Sequence, residues 1–433
     1  MKQETAILPR LSIMMFLQYA IWGAWLPILY PFLLNHRHFS LEQCGYILAG
    51  GAAGAIVGPF VAGQVADRWF ATEKFLALAH LAGAVLVWRL ADVSDFTTFL
   101  ALSVVYGIVY APTLALTNSL SFHHIPDRDR DFGRVRVWGT IGWIAAGIAV
   151  GQWLLLEHTP SGSQAVIEAA QDAGRADAFH LSAVLGLVMG VYCFTLPHTP
   201  PSEHPRARNA VGEALQYVTR QPLATLFLLA VPISCIHQFY FVYASEFLSK
   251  YGRDAANSIN KFLGVGGGGL MTIGQMSEIA VLASIPLVAK SVSRKTLLAI
   301  GIAAFAARMA LFAYTDSLGP VLLGVALHGF AFGCFIFVAF MVVDEETPAD
   351  VRASAQNLFN LVYVGVGSIV GSWISTSVIG KWAQESTLDS AGNTVVHMNY
   401  TKLFSAPMWA AIACLVLLEI FYPRKPVAVQ TAA

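Results

Sequence analysis

The chain has 433 residues, a formal net charge of +0, 56% hydrophobic residues and only 12% charged ones. Soluble domains carry about 25% charged residues, so this composition excludes a soluble globular protein. The balanced charge gives no sign of a nucleic-acid or acidic partner. Five cysteines (Cys44, Cys193, Cys235, Cys334 and Cys414) are scattered, mostly in apolar runs. No CxxC or His/Cys spacing suggests a metal site or a disulfide framework, so they read as small buried hydrophobes. No metal and no cofactor is expected.

In chain order, MKQETAILPR runs straight into an apolar segment that holds Trp22, Trp25 and Pro27. No small-residue cleavage site follows a short apolar core, so this segment is expected to be retained as the first span. Apolar stretches then recur near residues 10–34, 43–66, 74–91, 97–121, 135–156, 179–197, 222–249, 264–289, 295–315, 318–343, 354–380 and 403–422. Each has about the 17–25 residues needed to cross the hydrocarbon of a bilayer. The expectation is an all-α membrane protein of twelve transmembrane helices in a lipid bilayer.

Lys and Arg favour one set of loops by about two to one, which places both termini in the cytoplasm. The proline-rich, basic stretch PHTPPSEHPRARNAVGEALQ lies near the midpoint. It divides the chain into a six-helix half at 1–198, a cytoplasmic linker at 199–221 and a second six-helix half at 222–433. Outside loops near 157–178 and 381–401 follow the fifth and eleventh spans, a weak internal repeat. Two six-helix halves with a cavity near the midplane describe a secondary transporter better than a channel. No nucleophile–base pair or phosphate loop suggests an enzyme. A non-transporting membrane sensor is the alternative from another class.

Polar groups inside apolar spans carry the functional signal, because burying them in a membrane is costly. Arg136, Thr140 and Trp143 are spaced i, i+4, i+7 and share one stripe of the fifth span. Gln275 and Glu278 are i, i+3 on the eighth span, Gln238 lies in the seventh, and His328 and Phe332 are i, i+4 on the tenth. Amides match the edges of a planar base, a carboxylate accepts from vicinal hydroxyls, and aromatic rings stack on the base. This set suits a flat, polar, uncharged solute. Each residue also has a plainer reading: a snorkelling Arg136, a packing Thr140 or Trp143, a Gln238 bonded to a neighbouring helix, an internally satisfied His328. Gln18, Trp22 and Trp25 share a face of the first span and read equally as cavity lining or as packing. Arg308, in the ninth span, reads as structural and is left outside the site.

The loop motif GQVADRW (Gly63–Trp69), with Asp67 and Arg68, resembles the signature of the major facilitator superfamily; its basic continuation is degraded to FATEK. FLQYAIWGAWL, YAPTLALTNSLSF, RVWGTIGW, FTLPHTP, IGQMSE, ARMALFAY and RASAQNLF follow in order. From Phe16 to Phe359 they resemble the nucleoside:proton symporter family of that superfamily. The resemblance implies the major facilitator fold, alternating access, and secondary active import of a nucleoside coupled to protons. It further implies a bacterial inner-membrane location and a monomer. A symporter or facilitator of a sugar or nucleobase is the close alternative.

It also implies substrate contacts at Arg136, Thr140, Trp143, Gln238, Gln275, Glu278, His328 and Phe332, and a cytoplasmic gate at Asp67 and Arg68. Asp344, Glu345, Glu346 and Arg352 read as the gate's counterpart in the second half. Trp143 and His328 stand where the family pattern has other aromatic residues, and Phe241 replaces an expected asparagine. Gly333 stands where the pattern has an aspartate tied to proton coupling. A glycine carries no proton. The candidates for that role are Glu278, a carboxylate in an apolar run, and His328, whose reference value of about 6.5 suits a proton carrier.

Overall fold

The computed structural model describes residues 4–61, 71–126, 128–200, 215–252, 258–266, 268–288, 291–348, 351–388 and 394–423. Twelve helical spans lie among them. They are α1 (Glu4–Trp25, prolonged to His36), α2 (Leu41–Val61), α3 (Thr72–Asp92), α4 (Phe96–His124), α5 (Arg128–Glu157), α6 (Gln164–Cys193), α7 (Leu223–Gly252), α8 (Gly268–Val288), α9 (Arg294–Tyr314), α10 (Leu318–Glu345), α11 (Arg352–Asn360, continuing to Ala383) and α12 (Tyr400–Phe421). Eleven are long and apolar enough to cross a membrane; α2 is described only to Val61. Large apolar side chains stay exposed on them, among them Leu156, Val191, Leu323, Trp409 and Ile420. In a bilayer those faces meet lipid, and the helix satisfies every backbone polar group internally, as hydrocarbon demands.

Helix starts are fixed by short polar side chains that accept from orphan backbone N–H groups. Asp95 accepts from Thr98 N at 2.8 Å to start α4, Ser293 from Thr296 N at 3.1 Å to start α9, and Asn399 from Lys402 N at 3.0 Å to start α12. Two expected loops turn out to be structured. Within 157–178, residues Gln164–Gly174 are helical and lead through Arg175 into the rest of α6. The alanines of QAVIEAAQDAG favour helix, but their polar neighbours keep the segment from reading as a span. Arg175, expected in an outside loop, is fully buried and bonds Asp172 and Ser249. Within 381–401, strands β1 (Gln384–Leu388) and β2 (Thr394–Met398) pair antiparallel, Gln384 opposite Met398.

In that hairpin the Glu385 carboxylate meets Lys402 Nζ at 2.8 Å and Asn399 Nδ2 at 2.9 Å. The hydrogen bond from Lys402, then that from Asn399, holds its carboxyl below the usual glutamate range. A carboxyl more acidic folded than unfolded adds stability above its unfolded value of about 4.3, and loses it as pH falls through the folded value. Thermal midpoints of the wild type and Glu385→Gln should therefore differ at neutral pH and converge in acid. A constant gap across the series would refute the contact.

The chain divides into two compact units. One comprises 1–205 and 241–272, the other 206–240 and 273–433. The first unit thus takes in 241–272, which the sequence assigns to the second half at 222–433, and residues 201–214 of the 199–221 linker lie outside the described part.

In the first unit, α1 and α5 pack along small residues. A Cβ on Gly23 would lie 2.7 Å from Trp143 Cα, and one on Gly142 would run into the Phe16 carbonyl. In the second unit α8 and α10 approach as closely. A Cβ on Gly329 would collide with Ser277 and the Glu278 backbone, and Ser277 Oγ donates to the Ala326 carbonyl at 2.5 Å. Small residues let membrane helices approach backbone to backbone. In the second unit that contact brings the polar groups of α8 and α10 together.

Candidate transport site

The first unit presents the stripe read from α5. The Arg136 guanidinium lies 4.1 Å from the centre of the Tyr19 ring on α1, and both touch the space beside Gly139. Arg136 is therefore held by an aromatic face rather than extended alone from the helix end. Thr140 is buried, while Trp143 keeps a partly exposed edge. Gln18 is fully buried and spent on its own unit. Its amide nitrogen donates to Thr113 Oγ1 at 2.8 Å, and its carbonyl lies 2.9 Å from His80 Nε2. Trp22 stacks on Tyr110, and Trp25 packs on Tyr106 and Phe179. For Gln18, packing is the reading the geometry supports.

The second unit holds the denser cluster. Glu278 and Gln275 share one face of α8, and both are nearly buried, at 7% and 5% exposure. His328 Nε2 lies 3.6 Å from Glu278 Oε2. Phe332 sits one turn beyond His328, its ring centre 6.3 Å from the imidazole. The residues from Ala331 to Phe337 are wound in wider turns than an α-helix, a distortion frequent at functional sites. Gln238 on α7 donates to Ser368 Oγ on α11 at 2.8 Å. Its amide nitrogen thus bonds a neighbouring helix, in accord with the plainer reading. The Gln275 carbonyl oxygen finds no hydrogen-bond partner among the described residues. A buried acceptor left unpaired costs about 1–3 kcal/mol, which marks it as a place for a ligand's donor.

Sequence reasoning missed part of this cluster. Arg308 on α9 is fully buried, its Nη1 3.1 Å from His328 Nδ1 and its guanidinium 4.2 Å from the Tyr240 ring centre. His237 Nδ1 lies 3.0 Å from the Tyr363 hydroxyl, and its ring centre is 5.6 Å from that of His328. A cation in the middle of IAAFAARMALFAY was the available signal, since intramembrane charges are seldom idle. The position of Gly333 is closed: a Cβ there would lie 2.7 Å from Val281 Cγ1. Asp67 and Arg68 lie outside the described residues. Of the charged groups near α10's end, Glu345 pairs with Arg294 at 2.6 Å and Asp344 with Arg352 at 3.4 Å.

Spanning helices whose interiors hold buried cations, carboxylates and amides mark a multi-pass membrane protein with a polar interior. The comparisons narrow the class. The family described as nucleoside H+ symporter matches residues 5–426. The putative nucleoside transporter YegT of Escherichia coli (strain K12) is 33% identical over 378 residues, 84% of this chain and 82% of its own. The xanthosine permease of the same organism is 28% identical over 89% of this chain and 90% of its own. A crystal structure of a mutant of the nucleoside transporter NupG superposes with a TM-score of 0.81 at 23% identity, over 96% of this chain and 100% of that one. The chain belongs to the nucleoside H+ symporter family and has the major facilitator fold.

Proposed function

We propose that this protein imports nucleosides by alternating access, driven by inward proton movement. Family membership supports the solute class. The observation that carries the reading is the buried α8 pair, Gln275 with its unpaired carbonyl and Glu278 beside His328. An amide and a carboxylate presented together suit a base edge and the ribose hydroxyls. Arg136, Thr140 and Trp143 of one unit are proposed as substrate contacts, as are Gln238, Gln275, Glu278, His328 and Phe332 of the other. Glu278 and His328 are the candidates for proton coupling, and Asp67 with Arg68 for a cytoplasmic gate. The proposal places a monomer in a bacterial inner membrane, both termini cytoplasmic, with halves at 1–198 and 222–433 joined by 199–221.

Competition tests the solute class. A site built to hydrogen-bond a hydroxyl discriminates strongly against an analogue that lacks it. Uracil should therefore compete with labelled uridine at least about 100-fold more weakly than unlabelled uridine does. Equal competition by the free base would make this a nucleobase transporter, and no binding of uridine or adenosine by folded protein would require another solute.

A further inference from the structure

The Arg308–His328–Glu278 chain separates the two candidates for the proton. It crosses three helices of one unit: Arg308 Nη1 lies 3.1 Å from His328 Nδ1, and His328 Nε2 lies 3.6 Å from Glu278 Oε2. Exposures are 0%, 3% and 7%. A guanidinium has only donors, so Nδ1 in this bond is an acceptor and carries no hydrogen. The single imidazole hydrogen then sits on Nε2, directed at the carboxylate. We propose that Arg308 is a positioning residue that fixes His328 as the neutral Nε2–H tautomer, and that Glu278 accepts the transported proton.

Two features support the assignment. A second proton on His328 would have to enter at Nδ1, against the Arg308 cation. Arg308 in turn has little freedom to withdraw, because its guanidinium lies 4.2 Å from the Tyr240 ring centre and 5.1 Å from that of Phe305. Among the described residues, the other titratable groups facing the chain are His237 and Tyr240 on α7 and Tyr363 on α11. None is a carboxylate, so Glu278 is the acidic group of this set. With Glu278 ionised the chain is an overall neutral +, 0, − series; a proton on Glu278 leaves a buried net cation, a state costly enough to be a transport intermediate rather than a resting one. This inference rests on the symport reading for its proton, though not for its geometry.

The test is nuclear magnetic resonance of ring-labelled histidine in the purified protein, with His328 assigned through His328→Gln. In the wild type and Arg308→Lys, His328 should show the Nε2–H tautomer and no titration between about pH 5.5 and 8.5. In Arg308→Met nothing holds Nδ1 as an acceptor, and the Nδ1–H tautomer should appear. An Nδ1–H tautomer in the wild type, or titration there, overturns the positioning role; the wild-type spectrum decides even if Arg308→Met fails to fold. Calorimetry of uridine binding in buffers of different ionisation enthalpy counts the protons taken up. Uptake by the wild type that disappears in Glu278→Gln supports the carboxylate, and unchanged uptake overturns it. Failure of the wild type to bind uridine would defeat the nucleoside reading, while the histidine spectrum would still decide the geometry.

Discussion

Replacement of Gln275 by methionine is expected to weaken nucleoside binding by about 10- to 100-fold while leaving thermal stability unchanged or raised. The two effects have one cause. The Gln275 side chain is nearly buried, and its carbonyl has no hydrogen-bond partner among the described residues. A buried acceptor that gains no partner from the protein carries a penalty of about 1–3 kcal/mol. A nucleoside donor removes the penalty, so the group favours the bound state over the empty one. Methionine has similar volume and no acceptor to satisfy. It relieves the empty protein and withholds the bond from the ligand. Binding calorimetry and a melting curve on the same preparation check both halves. A Gln275→Met protein that binds like the wild type would show that the amide faces no substrate.

Gly333→Asp, which installs the family's expected carboxylate, is expected to destabilise the protein severely instead of improving coupling. The added Cβ would lie 2.7 Å from Val281 Cγ1 on α8. Overpacking of this kind costs about 1–3 kcal/mol, and an unpaired buried carboxylate adds several more. The sum approaches the whole stability of many proteins, about 5–15 kcal/mol. The yield of monodisperse protein and its melting temperature should both fall sharply. Val281→Ala with Gly333→Asp should recover part of the loss. A stable single variant with unaltered melting would mean that α8 and α10 yield there, and that Gly333 is not a packing residue.

The twelve spans were legible because a soluble fold rarely needs an apolar stretch of bilayer length, let alone twelve in succession. The first turns of α6 were not, since QAVIEAAQDAG is too polar to read as a span and becomes helical through alanine propensity and the contacts of Arg175. The β1–β2 hairpin was equally hidden, as QESTL and TVVHM are short and exposed. At the site, i, i+3 spacing placed Gln275 and Glu278 on one face of α8, where the structure has them. Helical periodicity says nothing about which helices touch. It could not show that Gly329 lets α10 lie against α8, bringing His328 to Glu278, nor that α9 directs Arg308 at the same imidazole. From the sequence, Arg308 therefore reads only as a cation that snorkels or bonds a structural partner, outside the site.

Proton-driven nucleoside import is decided by the uptake of labelled uridine into proteoliposomes with and without an inward proton gradient. Accumulation above the external concentration is expected, requiring the gradient and collapsing when a protonophore is added. Uptake that only equilibrates, identical with and without the gradient, would contradict it.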